Sequence, residues 1–125
     1  MPRPPRDYRD LVCWQQAIEL ALEVNALADS LPRREWDSAS QLRRAARSVH
    51  LNIAEGNGRR TCADYLRFLG DARGSLNEVD SELRYLTRRY PANALTAPAL
   101  ERVLHVAKPL SGLIKAIERK RDAEG

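Results

Sequence analysis

Between Ser40 and Gly58, apolar positions recur with a helical period: Leu42, Ala45, Ala46, Val49, Ile53 and Gly56 fall on one side. Beside them, at i, i+3/i+4 spacing, run Gln41, Arg44, Ser48, Asn52 and Glu55, and a third side carries Arg43, Arg47 and His50. An amphipathic surface helix ordinarily has two zones, one apolar and one polar. The third zone implies that this helix meets two different surroundings.

The same period recurs on either side of it. A first helix is expected from about Tyr8 to Asp29. Leu11, Val12, Trp14, Ile18, Leu20, Ala21, Leu22, Val24 and Leu27 cover more than half of its circumference, and Gln15, Gln16, Glu19 and Glu23 form a polar strip. So wide an apolar surface implies a central helix or one shared with another subunit. Leu31-Pro32 stops it, because proline cannot continue a helix. Asp37 or Ser38 is the expected N-cap of the second helix. Gly56-Asn57-Gly58 is expected to end that helix through the left-handed cap that Gly and Asn accept. Thr61 with Asp64 resembles a capping box opening a third helix that runs to about Arg89. Tyr65, Phe68, Leu69, Ala72, Leu76, Val79, Leu83 and Leu86 stripe that helix. Gly70 and Gly74 lie on its opposite side, each costing about 1 kcal/mol relative to Ala, and read as a notch for close approach of another helix. A fourth helix is expected from about Ala97 to Arg121, with a possible cap at Thr96, a stripe of Val103, Val106, Ala107, Leu110, Leu113, Ile114 and Ile117, and a kink at Pro109. No segment alternates with period two. The expected fold is an all-α, antiparallel up-down-up-down four-helix bundle over residues 8–121, with loose tails at 1–7 and 122–125.

The 125 residues make one domain, large enough for a real core. Apolar residues are 43% and charged residues 30% of the chain, a globular rather than a disordered balance. The net charge of +4, carried mostly by arginine, permits a polyanionic partner without requiring one. Cys13 and Cys62 form no metal-binding spacing and read as reduced thiols of a cytoplasmic protein. No apolar run is long enough for a membrane span.

No catalytic set stands out, and no cofactor or metal is implied. His50 and His105 lack metal-ligand neighbours, no Glu-x-x-His pair supports a di-iron bundle, and Gly56-x-Gly58 follows no strand. Gln41, Ser48, Asn52 and Glu55 read as a structural polar row, bonded to one another or to Arg44, Arg67 or Arg73. Arg43, Arg44, Arg47, Arg59 and Arg60 are the candidates for binding RNA or DNA phosphates, in a salt-sensitive and sequence-tolerant way. Arg84, Arg88 and Arg89 form a further basic group, and no aromatic pair for stacking RNA bases is evident.

The string from Ser40 to Val49, then Asn52-Ile53-Ala54-Glu55-Gly56, resembles a bacterial four-helix-bundle family first found encoded in intervening sequences of large-subunit rRNA genes. Arg67-Phe68-Leu69 with Ala72-Arg73-Gly74-Ser75-Leu76-Asn77-Glu78 resembles its third-helix signature, and Asp10-Leu11 with Trp14-Gln15-Gln16-Ala17 its opening. The likeness covers about residues 8–90. His50 departs from it, standing where a small residue or proline is common. The resemblance implies a homo-oligomer, a five-membered ring. A related branch, the accessory variability determinant of diversity-generating retroelements, is a basic barrel that associates with a reverse transcriptase and nucleic acid. The expected function is therefore a non-enzymatic oligomeric scaffold for nucleic acid or a nucleic-acid enzyme. The alternative is a protein–protein interaction module with no nucleic-acid role.

Overall fold

A computed structural model describes residues 7–124. Of the expected tail at 1–7, residues 1–6 lie outside the described residues, as does Gly125. Four helices carry the fold: α1 (Val12–Ser30), α2 (Trp36–Asn57), α3 (Cys62–Arg89) and α4 (Thr96–Glu124), with no strand among the described residues. α1 packs on α2 and α4, and α3 packs on the same two, so each helix has two neighbours and none lies across the diagonal.

Each helix turns one stripe to a common core: Leu20, Val24 and Leu27 from α1, Leu42, Val49 and Ile53 from α2, Leu69, Val79, Leu83 and Leu86 from α3, and Val106 and Leu110 from α4. Residues at i, i+3/i+4 and i+7 share a face, so burying these stripes sets the rotation of every helix. Along the α2–α3 contact the α3 partners rise in number as those on α2 fall. Phe68 lies against Gly56, Ser75 bonds Ser48, and Tyr90, just past α3, bonds Glu35, just before α2.

Several boundaries differ from the sequence reading, each for a local reason. The first helix does not begin at Tyr8. Asp7 accepts from the Arg9 amide at 2.9 Å, a 3-10 turn forms at Tyr8–Asp10, and Leu11 is extended before α1 starts. The Tyr8 ring then packs edge-on to Trp14, their centroids 5.1 Å apart. α2 is not capped by Asp37 or Ser38. A 3-10 turn at Arg33–Glu35 feeds it directly, and its first residue is Trp36. No residue among those described adopts a left-handed conformation. α2 ends instead at Gly58, with φ −86° and ψ 0°, whose amide bonds back to Glu55 at 3.2 Å.

Half of the capping box expected on α3 forms: Thr61 Oγ1 accepts from the Asp64 amide at 3.1 Å, while the Asp64 carboxylate lies toward Arg67. Thr96 is the first residue of α4 rather than its cap. Its buried hydroxyl donates to the Asn93 carbonyl, while Asn93 Oδ1 accepts from the Leu95 amide at 2.9 Å. α4 then continues through Pro109 as one helix and on to Glu124, past the residue 121 at which the sequence reading ended it. No helix is long and apolar enough to cross a membrane among the described residues.

The polar strip expected on α1 divides. Gln15 and Glu19 face out, but Arg102 of α4 reaches between the helices, its Nε 2.8 Å from Glu23 Oε1 and its Nη1 2.8 Å from Gln16 Oε1. Glu23 Oε2 is buried with no partner among the described residues.

Candidate nucleic-acid interface

The outward face of α2 is built by the helical period that buries its inner one. With Leu42, Val49 and Ile53 in the core, Arg44, Arg47 and Leu51 must point away from it, and all three are exposed. Arg47 has no acid at i±3 or i±4, and it forms no ion pair among the described residues. Arg44 Nη2 donates to Ser40 Oγ at 3.2 Å and is likewise free of any carboxylate. Arg43 lies toward α1, where its guanidinium pairs with Asp29.

Beyond the end of α2, Arg59 folds back onto Glu55 at 3.1 Å, its guanidinium 4.5 Å from the centre of the Phe68 ring. Arg67 reaches the same ring at 4.6 Å. Arg60 is exposed and without an ion pair among the described residues. The five candidate arginines thus fall into two groups: Arg43, Arg44 and Arg47 on the helix, and Arg59 and Arg60 in the loop. From Arg47 to Asn57, the last residue of α2, the helix rises about 15 Å, and Arg59 lies in the loop beyond it. Three of the five, Arg44, Arg47 and Arg60, keep their charge available.

The loop group borders a shallow hollow at the end of the bundle, with Asn57, Cys62, Tyr65 and Lys120 around it. Asn57 Nδ2 donates to Tyr65 Oη at 3.0 Å, and burial raises the Tyr65 pKa. The Cys62 thiol donates to Glu124 Oε1 at 3.2 Å, and that bond raises its pKa. Cys13 is buried in the core, which pushes its thiol pKa up to about 11. Both cysteines are free.

The polar row also divides. Ser48 and Asn52 sit half-buried against α3, where Asn52 Nδ2 donates to both the Ser48 carbonyl and hydroxyl at 2.9 Å, and Ser75 Oγ donates to Ser48 Oγ at 2.8 Å. Gln41 and Glu55 are exposed, Glu55 held only by Arg59. Arg67 is not a partner of this row, since it pairs with Asp64. His50 is half-buried between α2 and its surroundings, and burial first, then the Arg47 charge, lower its pKa below the usual 6.5.

Gly70 and Gly74 face open space: a Cβ at either would meet nothing within 4 Å, so no helix of the protomer enters the notch. The close approach is at Gly56, where a Cβ would stand 2.8 Å from Phe68 Cβ.

Compared with known protein families, residues 9–112 match the one described as 23S rRNA-intervening sequence protein. The chain belongs to that family. The match takes in the whole of α1, α2 and α3, and α4 as far as Gly112, so it extends past residue 90, where the likeness read from the sequence ends. A search of the curated proteins returned no match. Both arginine groups, the Ser48–Asn52–Ser75 hydrogen bonds and Gly56 lie inside the family span.

Three features of the surface escaped the sequence reading. Tyr90 Oη donates to Glu35, a contact that joins the α1–α2 connector to the end of α3 and raises the Tyr90 pKa. Trp36 and Tyr85 stand exposed, at 70% and 52%, Tyr85 beside Arg84, Arg88 and Arg89. For Tyr85 the signal was present in the spacing, since Arg84, Arg88 and Arg89 lie one, three and four residues away. No three His, Cys, Asp or Glu side chains among the described residues come together to hold a metal ion.

Proposed function

We propose that this protein is a non-catalytic scaffold, an up-down-up-down bundle that assembles with copies of itself and holds nucleic acid through its arginines. The observation that carries the reading is the set of exposed guanidiniums at Arg44, Arg47 and Arg60, which form no ion pair among the described residues. A guanidinium with no carboxylate partner has its full fork of donors free for phosphate oxygens. Contacts of this kind position a polyanion without reading its sequence. The family's name, which refers to sequences intervening in 23S rRNA, agrees with a nucleic-acid setting. A nucleic-acid enzyme such as a reverse transcriptase would be a partner of the same assembly.

Fluorescence anisotropy with structured RNA and duplex DNA over a salt series tests the reading. Binding should tighten as salt falls, and removing Arg44, Arg47 and Arg60 together should flatten the log–log salt slope by roughly 2–3, at about 0.9 per phosphate contact. No binding at low salt would refute it.

A second reading rests on exposed apolar side chains. Leu22 on α1 is 62% exposed and Trp36 70%, and Val12 and Leu51 lie open as well. Large exposed apolar residues mark contact surfaces. They favour self-association into a ring, or a protein partner in place of nucleic acid. A nuclease-insensitive protein partner would favour this second reading, and light scattering that finds only monomer at micromolar concentration would reject self-association.

A further inference from the structure

The C-terminal end of α3 carries an exposed aromatic ring among its arginines. Tyr85 is 52% exposed and has no hydrogen bond or ring contact among the described residues. It lines a shallow hollow whose other walls are Arg84, Arg88 and Arg89. Arg84 is braced by Asp80 at 3.0 Å, and Arg89 lies 4.9 Å over the Tyr90 ring and 3.9 Å from Glu35. Arg88 is exposed and forms no ion pair among the described residues. The Tyr90–Glu35 bond ties the connector here too, and with it Arg33 and Arg34, which form no ion pair among the described residues.

A half-exposed ring rimmed by guanidiniums fits a base on its open face and phosphates at its edge. A base inside a duplex is stacked on both faces and cannot reach such a ring, whereas an unpaired base can. We propose that Tyr85 is a stacking platform for an unpaired base, with Arg88 and Arg34 taking the flanking phosphates, so that this end of the bundle selects single-stranded over duplex nucleic acid. The proposal rests on the nucleic-acid reading above but concerns a different surface from Arg44, Arg47 and Arg60.

The test is anisotropy with a labelled oligouridylate of about 12 nucleotides, within the usual site size for a single strand, and with an RNA duplex of the same length. Wild-type protein should bind the single strand more tightly. Tyr85→Ala should weaken single-strand binding by roughly five- to a hundredfold, the effect of losing one stacked base, and leave duplex binding unchanged. Tyr85→Phe, which keeps the ring, should restore it. Tyr85 is outside the core, so a loss of helix content is not expected, and circular dichroism of each variant checks this. If both probes bind alike and Tyr85→Ala changes neither, the platform is overturned while the arginine reading stands. If neither probe binds at low salt, both fall together.

Discussion

Gly56→Ala adds one methyl group, and its consequence follows from three distances. The new Cβ would stand 2.8 Å from Phe68 Cβ, 3.0 Å from Tyr65 Cδ1 and 3.3 Å from the Tyr65 carbonyl oxygen. Tyr65 can turn its ring slightly, but a Cβ and a carbonyl oxygen move only with their backbone. Relief therefore requires α2 and α3 to separate, which loosens the packing of Ile53 and Leu69 below. Overpacking of this kind costs roughly 1–3 kcal/mol. Against it stands the gain of about 1 kcal/mol from replacing a helical glycine with alanine. Because two of the three contacts are backbone-bound, the cost belongs at the upper end of its range, and the net effect is a loss of about 1–2 kcal/mol. In a domain of this size that lowers Tm by roughly 3–8 °C. Gly70→Ala and Gly74→Ala supply the control, since they collect the same propensity gain with nothing within 4 Å to oppose it. Each should raise Tm by about 2–5 °C. The assay is thermal unfolding by circular dichroism at two protein concentrations. Phe68→Ala should not rescue Gly56→Ala, because the clashing atom is the Cβ that alanine retains. A Gly56→Ala protein as stable as wild type would refute the close approach. If Gly70→Ala or Gly74→Ala lowers Tm, and more so at the higher concentration, those glycines face another copy.

Arg102→Met should destabilise by about 1–2 kcal/mol in urea unfolding, because it removes the ion-pair partner of the half-buried Glu23; the pair is 29% and 27% exposed, so solvent moderates the loss. Glu23→Gln in the same chain should recover part of it, and a double variant no better than the single one would show that the pair is not coupled. His50 titrates below its usual value of 6.5 in the folded protein, so the unfolded chain binds its proton first. Stability should therefore fall as pH drops through 6.5 toward the lowered value and recover as pH rises, and His50→Gln should remove that part of the slope; an unchanged slope would contradict it. Leu22→Asp should shift the mass found by light scattering toward monomer without lowering protomer stability, and an unchanged mass would place any interface elsewhere.

The core was legible because burial on a helix repeats with a period the chain carries in itself. Leu42, Val49 and Ile53 lie inside as expected, and so do Leu69, Val79 and Leu83. The Thr61 cap was legible because it closes over three residues. What failed to show in the sequence depends on distant partners. Glu35 is taken up by Tyr90 instead of leaving Asp37 or Ser38 to cap α2, and Gln16 and Glu23 turn inward only because Arg102 arrives from α4. The glycines are the instructive case. Gly56 shared its helical side with Val49 and Ile53, while Gly70 and Gly74 lay opposite the α3 stripe, so the wheel already separated a packed glycine from two open ones. Treating Gly56 as a helix stop set that signal aside.

The arginines divide by the same logic. Glu55 lies four residues before Arg59 and Asp80 four before Arg84, and both pairs form. Arg47 has Arg43, Arg44, His50 and Leu51 at those spacings, so no partner on its own helix can neutralise it. Its free charge can thus be read from local sequence, whereas the pairing of Arg43 with Asp29 needs the packing of α1 on α2. Tyr85 combines the two cases. Its arginine neighbours on α3 are local, whereas Arg33 and Arg34 belong to the connector that the long-range Tyr90–Glu35 bond ties to that end. Tyr90→Phe, which removes only that hydroxyl, should therefore weaken single-strand binding through the connector arginines while leaving the Tyr85 contribution intact.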